Sequence, residues 1–192
     1  MIQLKGIAWD HPRGFDPMVE TAKLFQKTNP EIEIKWDKRP LQAFADRPIE
    51  EMAFDYDLMV IDHPHVGEAS RKNLIYELNL NKKYENELLL LEKNSVGLSH
   101  QSYNFNGNQY ALAIDAAAPV SAFRDDLIDN PPTTFDETIK LAEKSKVIWP
   151  IKPVDSISCF NSIAANFDNP INVVPEKFID QSLAIEILKM MK

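Results

Sequence analysis

The chain has 192 residues and a formal net charge of -8, with 44% hydrophobic and 26% charged residues, ordinary for a globular protein that buries roughly 70% of its unfolded surface. The acidity argues against a general grip on nucleic acid, which needs a basic face to displace phosphate counterions, and no apolar run approaches the length of a membrane-spanning helix. Cys159 is the only cysteine, which excludes an intramolecular disulfide and a cysteine-based zinc cluster.

The first residues, MIQLKGIAWDHPRG, lack the basic start, apolar core and small-residue cleavage site of a signal peptide. Ile2, Leu4, Gly6 and Ala8 alternate with Gln3, Lys5, Ile7 and Trp9, which predicts a first strand arriving at the polar loop Trp9-Asp10-His11-Pro12-Arg13-Gly14. Asp16 before Pro17 predicts a helix start, Met18, Ala22 and Phe25 its apolar spacing, and Asn29-Pro30 its end. Glu31 to Asp37 alternates as a second strand.

Pro40 to Phe54 is helical in part, with Leu41, Phe44 and Ala45, then Ile49, Met52 and Ala53 across Pro48. Tyr56 to Ile61 has the composition of an interior parallel strand covered on both faces. It ends in Asp62-His63-Pro64-His65, a second polar tip at the carboxyl end of a strand, where open α/β sheets hold ligands. A short helix beginning over Val66 to Ser70, an extended or turn-bounded segment from Leu74 to Leu78 and a helix at Leu88 to Leu91 packed on the sheet follow.

Asn106-Gly107 is a turn signal, and Tyr110, Leu112 and Ile114 fall at every second residue, the pattern of a strand with one buried face. Asp115 interrupts that run. Val120, Ala122 and Phe123 form a second extended segment, and Pro131-Pro132 bars helix until Thr134. Thr134 and Glu137 have the spacing of a capping box, so a helix from Phe135 to Lys144 begins there. Val147 to Trp149 reads as a strand, and Gln181 to Lys192 as a helix ending in lysines. Ser156 to Phe167 reads as a helix with its core stripe at Ile157, Phe160, Ile163 and Ala164.

From Gly107 through Tyr110-Ala111-Leu112, Asp115 and Phe123-Arg124-Asp125-Asp126-Leu127 to Pro131-Pro132-Thr133-Thr134-Phe135-Asp136-Glu137, order and spacing resemble the extracellular solute-binding proteins of ABC importers. The group is that of maltose- and other sugar-binding proteins, with Ala113 where the family often has Pro. The resemblance implies an α/β fold of periplasmic-binding-protein type II with two lobes, residues 1–114 and 115–192, entered one from the other through the hinge segment. Family members continue well past this length, so the second lobe is expected to be incomplete, with a C-terminal half missing or supplied by another chain. The family implies reversible capture of a small polar ligand (a sugar, polyol or small carboxylate) in a cleft between the lobes. It also implies an ABC permease as partner and a periplasmic or extracellular location, although the absence of a leader leaves the cytoplasm open. No catalysis, cofactor, nucleic acid or membrane insertion is expected.

Trp9 offers an apolar face for a sugar ring, with Asp10, His11 and Arg13 to hydrogen-bond hydroxyls or anions. The alternative is a strand-end Trp plugging the core. Arg13 beside Gly14 is also suited to clamp a carboxylate. Asp62 and His63 line the same side, and Asp115 accepts ligand hydroxyls or serves as a turn-forming Asp. Asp155, Ser158 and Phe160 are expected to face them from the second lobe, although Asp155 or Ser156 can instead cap the helix that follows. Asp62, His63 and His65, with Pro64 holding the histidines extended, form a competing reading as a metal-dependent hydrolase. No Gly-rich phosphate loop, nucleophile elbow or nucleophile with a base accompanies them.

Overall fold

Strand β1 (Ile2–Trp9) pairs in parallel with β2 (Ile32–Arg39) along its whole length, from Ile2 opposite Ile32 to Trp9 opposite Arg39. The short β3 (Leu58–Met59) pairs with the other side of β1, opposite Gly6 and Ile7, giving the order β2-β1-β3. These coordinates are a computed structural model that describes residues 1–40, 48–80, 82–174 and 176–192. The expected helical spacing at Leu41, Phe44 and Ala45 lies outside the described residues. Two units divide the chain, Met1–Ala116 and Ala117–Lys192.

In the first unit β1 is central, so alternation gives way to full burial from Gly6 to Ala8. A Cβ on Gly6 would stand 2.5 Å from the Trp36 ring. Glycine there lets the indole of β2 lie flat on β1. The expectation of an interior strand over Tyr56 to Ile61 is corrected. Only two residues are paired, at the edge of the described sheet, and Leu58 is exposed. Helix α1 (Pro12–Thr28) starts a turn before the expected Asp16, because Pro12 supplies a preset φ and His11 caps the turn, leaving Pro17 inside the helix. Met18 and Ala22 are half-buried as expected, whereas Phe25 is exposed.

Helix α2 (Ile49–Asp55) and helix α3 (His63–Arg71) pack through Ile49, Met52 and Ala69, with Met59, Ile61, Leu74 and Ile75 around them. Residues 74–77 form no strand. Helix α4 (Glu85–Asn94) forms where the leucines predict it, but buries none of them: Leu89, Leu90 and Leu91 are exposed, so packing on the sheet is not found.

Asn106 at φ 55° and Gly107 at φ 84° make the tight turn between β4 (Asn104–Phe105) and β5 (Asn108–Gln109). Positive φ at both central residues is the type I′ requirement. Beyond it the predicted strand is corrected. Gln109 is buried, its amide nitrogen donating to the carbonyls of His100 at 2.9 Å and Ala111 at 2.8 Å. That anchor turns the odd-numbered side chains inward, so Leu112 and Ile114 point out.

The regular elements of the second unit are helices among its described residues. Helix α5 (Phe135–Ala142) begins with a complete capping box. Glu137 N–H donates to Thr134 Oγ1 at 3.3 Å, and the Glu137 carboxylate accepts from the N–H groups of Thr134 at 3.3 Å and Thr133 at 2.8 Å. Helix α6 (Pro153–Asn166) and helix α7 (Gln181–Met190) bury Phe160, Ile163, Ala164 and Ile187 against Phe135, Trp149, Phe167 and Leu183. Ile157, at the head of the predicted stripe, is exposed. The extended segments expected at Val120 to Phe123 and Val147 to Trp149 are not strands; Val120, Phe123 and Ile148 are exposed, with no strand beside them among the described residues.

Candidate functional site

The carboxyl end of β1 and the first turn of α1 concentrate the candidate side chains of the first unit. Trp9 closes β1, and the Asp10 N–H reaches across to the Arg39 carbonyl at 2.7 Å, holding the tip against β2. The Trp9 six-membered ring lies directly on Gly14, where any Cβ would overlap Cε3, Cδ2 and Cζ3. His11 Nδ1 accepts the Arg13 N–H at 3.1 Å, which requires that nitrogen to be unprotonated and fixes the ring over the helix start.

Arg13 Nε donates to Asp115 Oδ2 at 3.0 Å, with the arginine side chain 59% and the aspartate 28% exposed. Asp115 precedes the boundary of the first unit by one residue, so this contact ties the last stretch of the unit back to the first strand–helix junction. Asp10 is paired as well, to Lys38 Nζ at 3.1 Å, and that ammonium sits 4.3 Å from the centre of the Phe15 ring. Lys38 was not among the expected residues; only the register of β1 against β2 reveals it, since it lies opposite Ala8.

Asp62 and His63 begin α3 just beyond β3, whose neighbour Val60 donates its N–H to the Ile7 carbonyl at 2.9 Å. Both tips therefore leave the same edge of the sheet. His63 turns toward the following segment, its Nε2 3.2 Å from the Ser102 carbonyl oxygen and its ring centre 5.3 Å from that of Tyr103. Burial, with a smaller contribution from the negative charge of Asp62, pushes the Tyr103 hydroxyl above its ordinary range. The extended geometry expected for His63-Pro64-His65 is corrected. All three are helical, with Pro64 in the first turn, and residues two apart on a helix point in different directions. Among the described residues no three His, Cys, Asp or Glu side chains group to hold a metal ion.

In the second unit Asp155 and Ser158 occupy the first half of α6, which starts at Pro153 with Lys152 before it, so neither Asp155 nor Ser156 is its cap. Phe160, expected both on the core stripe and facing the ligand, is buried in the core of this unit and stacks on Phe178, ring centres 6.0 Å apart.

No family model matches the sequence. Solved structures do. A cyclo/maltodextrin-binding protein, solved with maltotetraose, matches 74% of this chain and 36% of its own at 17% identity, with a TM-score of 0.50. The Thermus thermophilus maltotriose-binding protein, solved with maltotriose, matches 75% of this chain and 37% of its own at 19% identity, with a TM-score of 0.48. The fold is the mixed α/β one of type II periplasmic binding proteins. The chain spans just over a third of the length of these structures. Among the described residues no helix is long and apolar enough to cross a membrane.

Proposed function

We propose that this chain is the solute-binding component of an ABC transport system and reversibly captures a small polar ligand, a sugar, polyol or small carboxylate, at the carboxyl-end rim of the β2-β1-β3 sheet. The observation that carries this reading is the convergence of Trp9, His11, Arg13 and Asp115 on one strand–helix junction. An aromatic face beside directional hydrogen-bonding groups suits a ligand with apolar ring faces and a polar edge. Asp62 and His63 leave the same sheet edge and are proposed as further contacts. The charges at the β1 tip are neutralised within the protein, Asp10 by Lys38 and Arg13 by Asp115. That pairing favours a neutral hydroxylated ligand over an anion. The maltotetraose held by a protein of the same fold makes maltodextrins the first ligands to try. A permease partner and a periplasmic or extracellular location are corollaries of this reading.

Isothermal titration calorimetry of the folded chain against maltotetraose, linear polyols and small dicarboxylates tests it. Saturable heat that Trp9→Ala abolishes supports the site. Absence of heat with every ligand, from a sample whose circular dichroism shows it folded, overturns it.

A further inference from the structure

Helix α4 rests on the first unit by one narrow stripe. Leu88, Glu92 and the cap residue Ser95, spaced i, i+4 and i+7, are half-buried, and every other residue from Glu85 to Asn94 is exposed. Leu89, Leu90 and Leu91 are 57%, 60% and 45% exposed, and Val96 and Leu98 just beyond the helix are exposed as well. A single leucine in water is ordinary, but a run of apolar side chains along one helix and its exit marks an interaction surface. Leu90 lies close to the centre of the outward face, about 200° round from Leu88.

The polar residues around Leu90 indicate what that surface fits. Glu87 lies three residues before it and Lys93 three after, about 4.5 Å to either side along the axis and about 60° round on opposite flanks. Asn86 and Asn94, four residues to either side, stand about 6 Å away along the axis, again on opposite flanks. A two-fold axis through Leu90, perpendicular to the helix, brings each position against its counterpart: Glu87 meets Lys93 of a second copy, Asn86 meets Asn94, Leu89 meets Leu91, and Leu90 meets Leu90. Among the described residues neither Glu87 nor Lys93 is paired within the chain. Asn94 Nδ2 donates to the Leu90 carbonyl at 2.8 Å, which leaves Asn94 Oδ1 to accept from the Asn86 amide of the second copy.

We propose that α4 is a self-association surface, through which two copies of this chain pair as antiparallel helices about a two-fold axis at Leu90. Such an isologous contact uses the same patch on both copies. The leucines supply the attraction, and the two Glu87–Lys93 contacts fix the antiparallel register, since a parallel pairing would set Glu87 beside Glu87 and Lys93 beside Lys93. One ten-residue helix from each copy is a small interface, so the dimer is a reversible one. The pairing does not depend on the ligand reading of the rim at Trp9.

Sedimentation equilibrium of the full chain in about 0.15 M salt, where the net charge of -8 is screened beyond about 8 Å, tests it. From micromolar to millimolar protein the average mass should rise from 21.9 kDa toward twice that value. Leu90→Lys, a change between two good helix formers at an exposed position, should hold the chain monomeric throughout. Glu87→Lys and Lys93→Glu should each weaken self-association about tenfold, two like-charged contacts replacing two opposite ones. An equimolar mixture of those two variants should recover the association of the parent, because opposite charges then meet at both contacts, a rescue that no folding defect can mimic. A parent that stays at 21.9 kDa at every concentration, a dimer that survives Leu90→Lys, or a mixture no more associated than its components would each overturn the proposal.

Discussion

Replacing Gly14 by alanine pits two opposing effects against each other at the candidate rim. Gly14 lies in the first turn of α1, where alanine on propensity alone stabilises a helix by up to about 1 kcal/mol. The new Cβ, however, would enter the Trp9 ring, overlapping three of its carbons. Overlap with a rigid indole cannot be relieved by a small torsional change in a flexible tail, so either the ring leaves its bed or the helix start backs off. Overpacking of this kind costs about 1–3 kcal/mol. The net expectation for Gly14→Ala is a destabilisation of about 1 kcal/mol, with Trp9 displaced. Urea unfolding followed by far-ultraviolet circular dichroism reads the stability, and near-ultraviolet circular dichroism reads the indole environment. A variant at least as stable as the parent, with an unchanged near-ultraviolet spectrum, would refute the packing of Trp9 on Gly14 and with it the preset aromatic face at the rim.

The Arg13–Asp115 pair is partly solvent-exposed, so a double-mutant cycle with Arg13→Met and Asp115→Asn should give a coupling within about 1 kcal/mol that fades with salt, while Asp115→Asn frees the guanidinium and should shift calorimetric preference toward small carboxylates. Thr134→Ala should cost about 1 kcal/mol through loss of the cap, read by thermal unfolding of the full chain. Hydrogen bonds from Thr133 and Thr134 hold the Glu137 carboxyl below its ordinary range, and Lys177 and Ser182 do the same for Asp180. Depressed carboxylates contribute stability that is complete above their unfolded values and disappears as pH falls through the lower folded ones, so an acid titration by circular dichroism should lose helix below the ordinary carboxylate range, and Glu137→Gln should flatten part of that loss. Phe160→Ala should destabilise the second unit by about 3–5 kcal/mol, visible in hydrogen exchange at α6 and α7, without changing the ligand affinity of the folded fraction; a selective loss of affinity would return Phe160 to the ligand.

Local chemistry was the most legible part of the chain. The Asn106-Gly107 turn, the Thr134 capping box, and strands β1 and β2 each depend on a few neighbouring residues, and each appears where its pattern predicts. Helix α1 shows how one rule displaces another. Asp16-Pro17 is a good start signal, but His11-Pro12 offers the same proline preset a turn earlier with a side chain placed to cap it. The extra turn brings Arg13 and Gly14 into the helix, which aims the arginine outward and lays the glycine under Trp9.

What could not be read from the sequence depends on pairings between distant segments. Alternation at Tyr110, Leu112 and Ile114 specifies that one face is apolar but not which face is inward, and a single anchored residue, Gln109, sets the opposite phase. The leucines of α4 predict a helix correctly, yet periodicity cannot say whether a partner surface covers them, and Leu89, Leu90 and Leu91 stay exposed. The rim follows the same logic. Trp9, His11 and Arg13 are neighbours in sequence and could be proposed together, whereas Asp115 joins them only because the chain, after the hairpin and residues 110–114, returns to the junction where β1 ends. A charge that is free on paper is thereby neutralised in the fold. The ligand chemistry expected at this rim changes with it, from an arginine available to any anion to a tip whose hydrogen-bonding groups are best matched by hydroxyls.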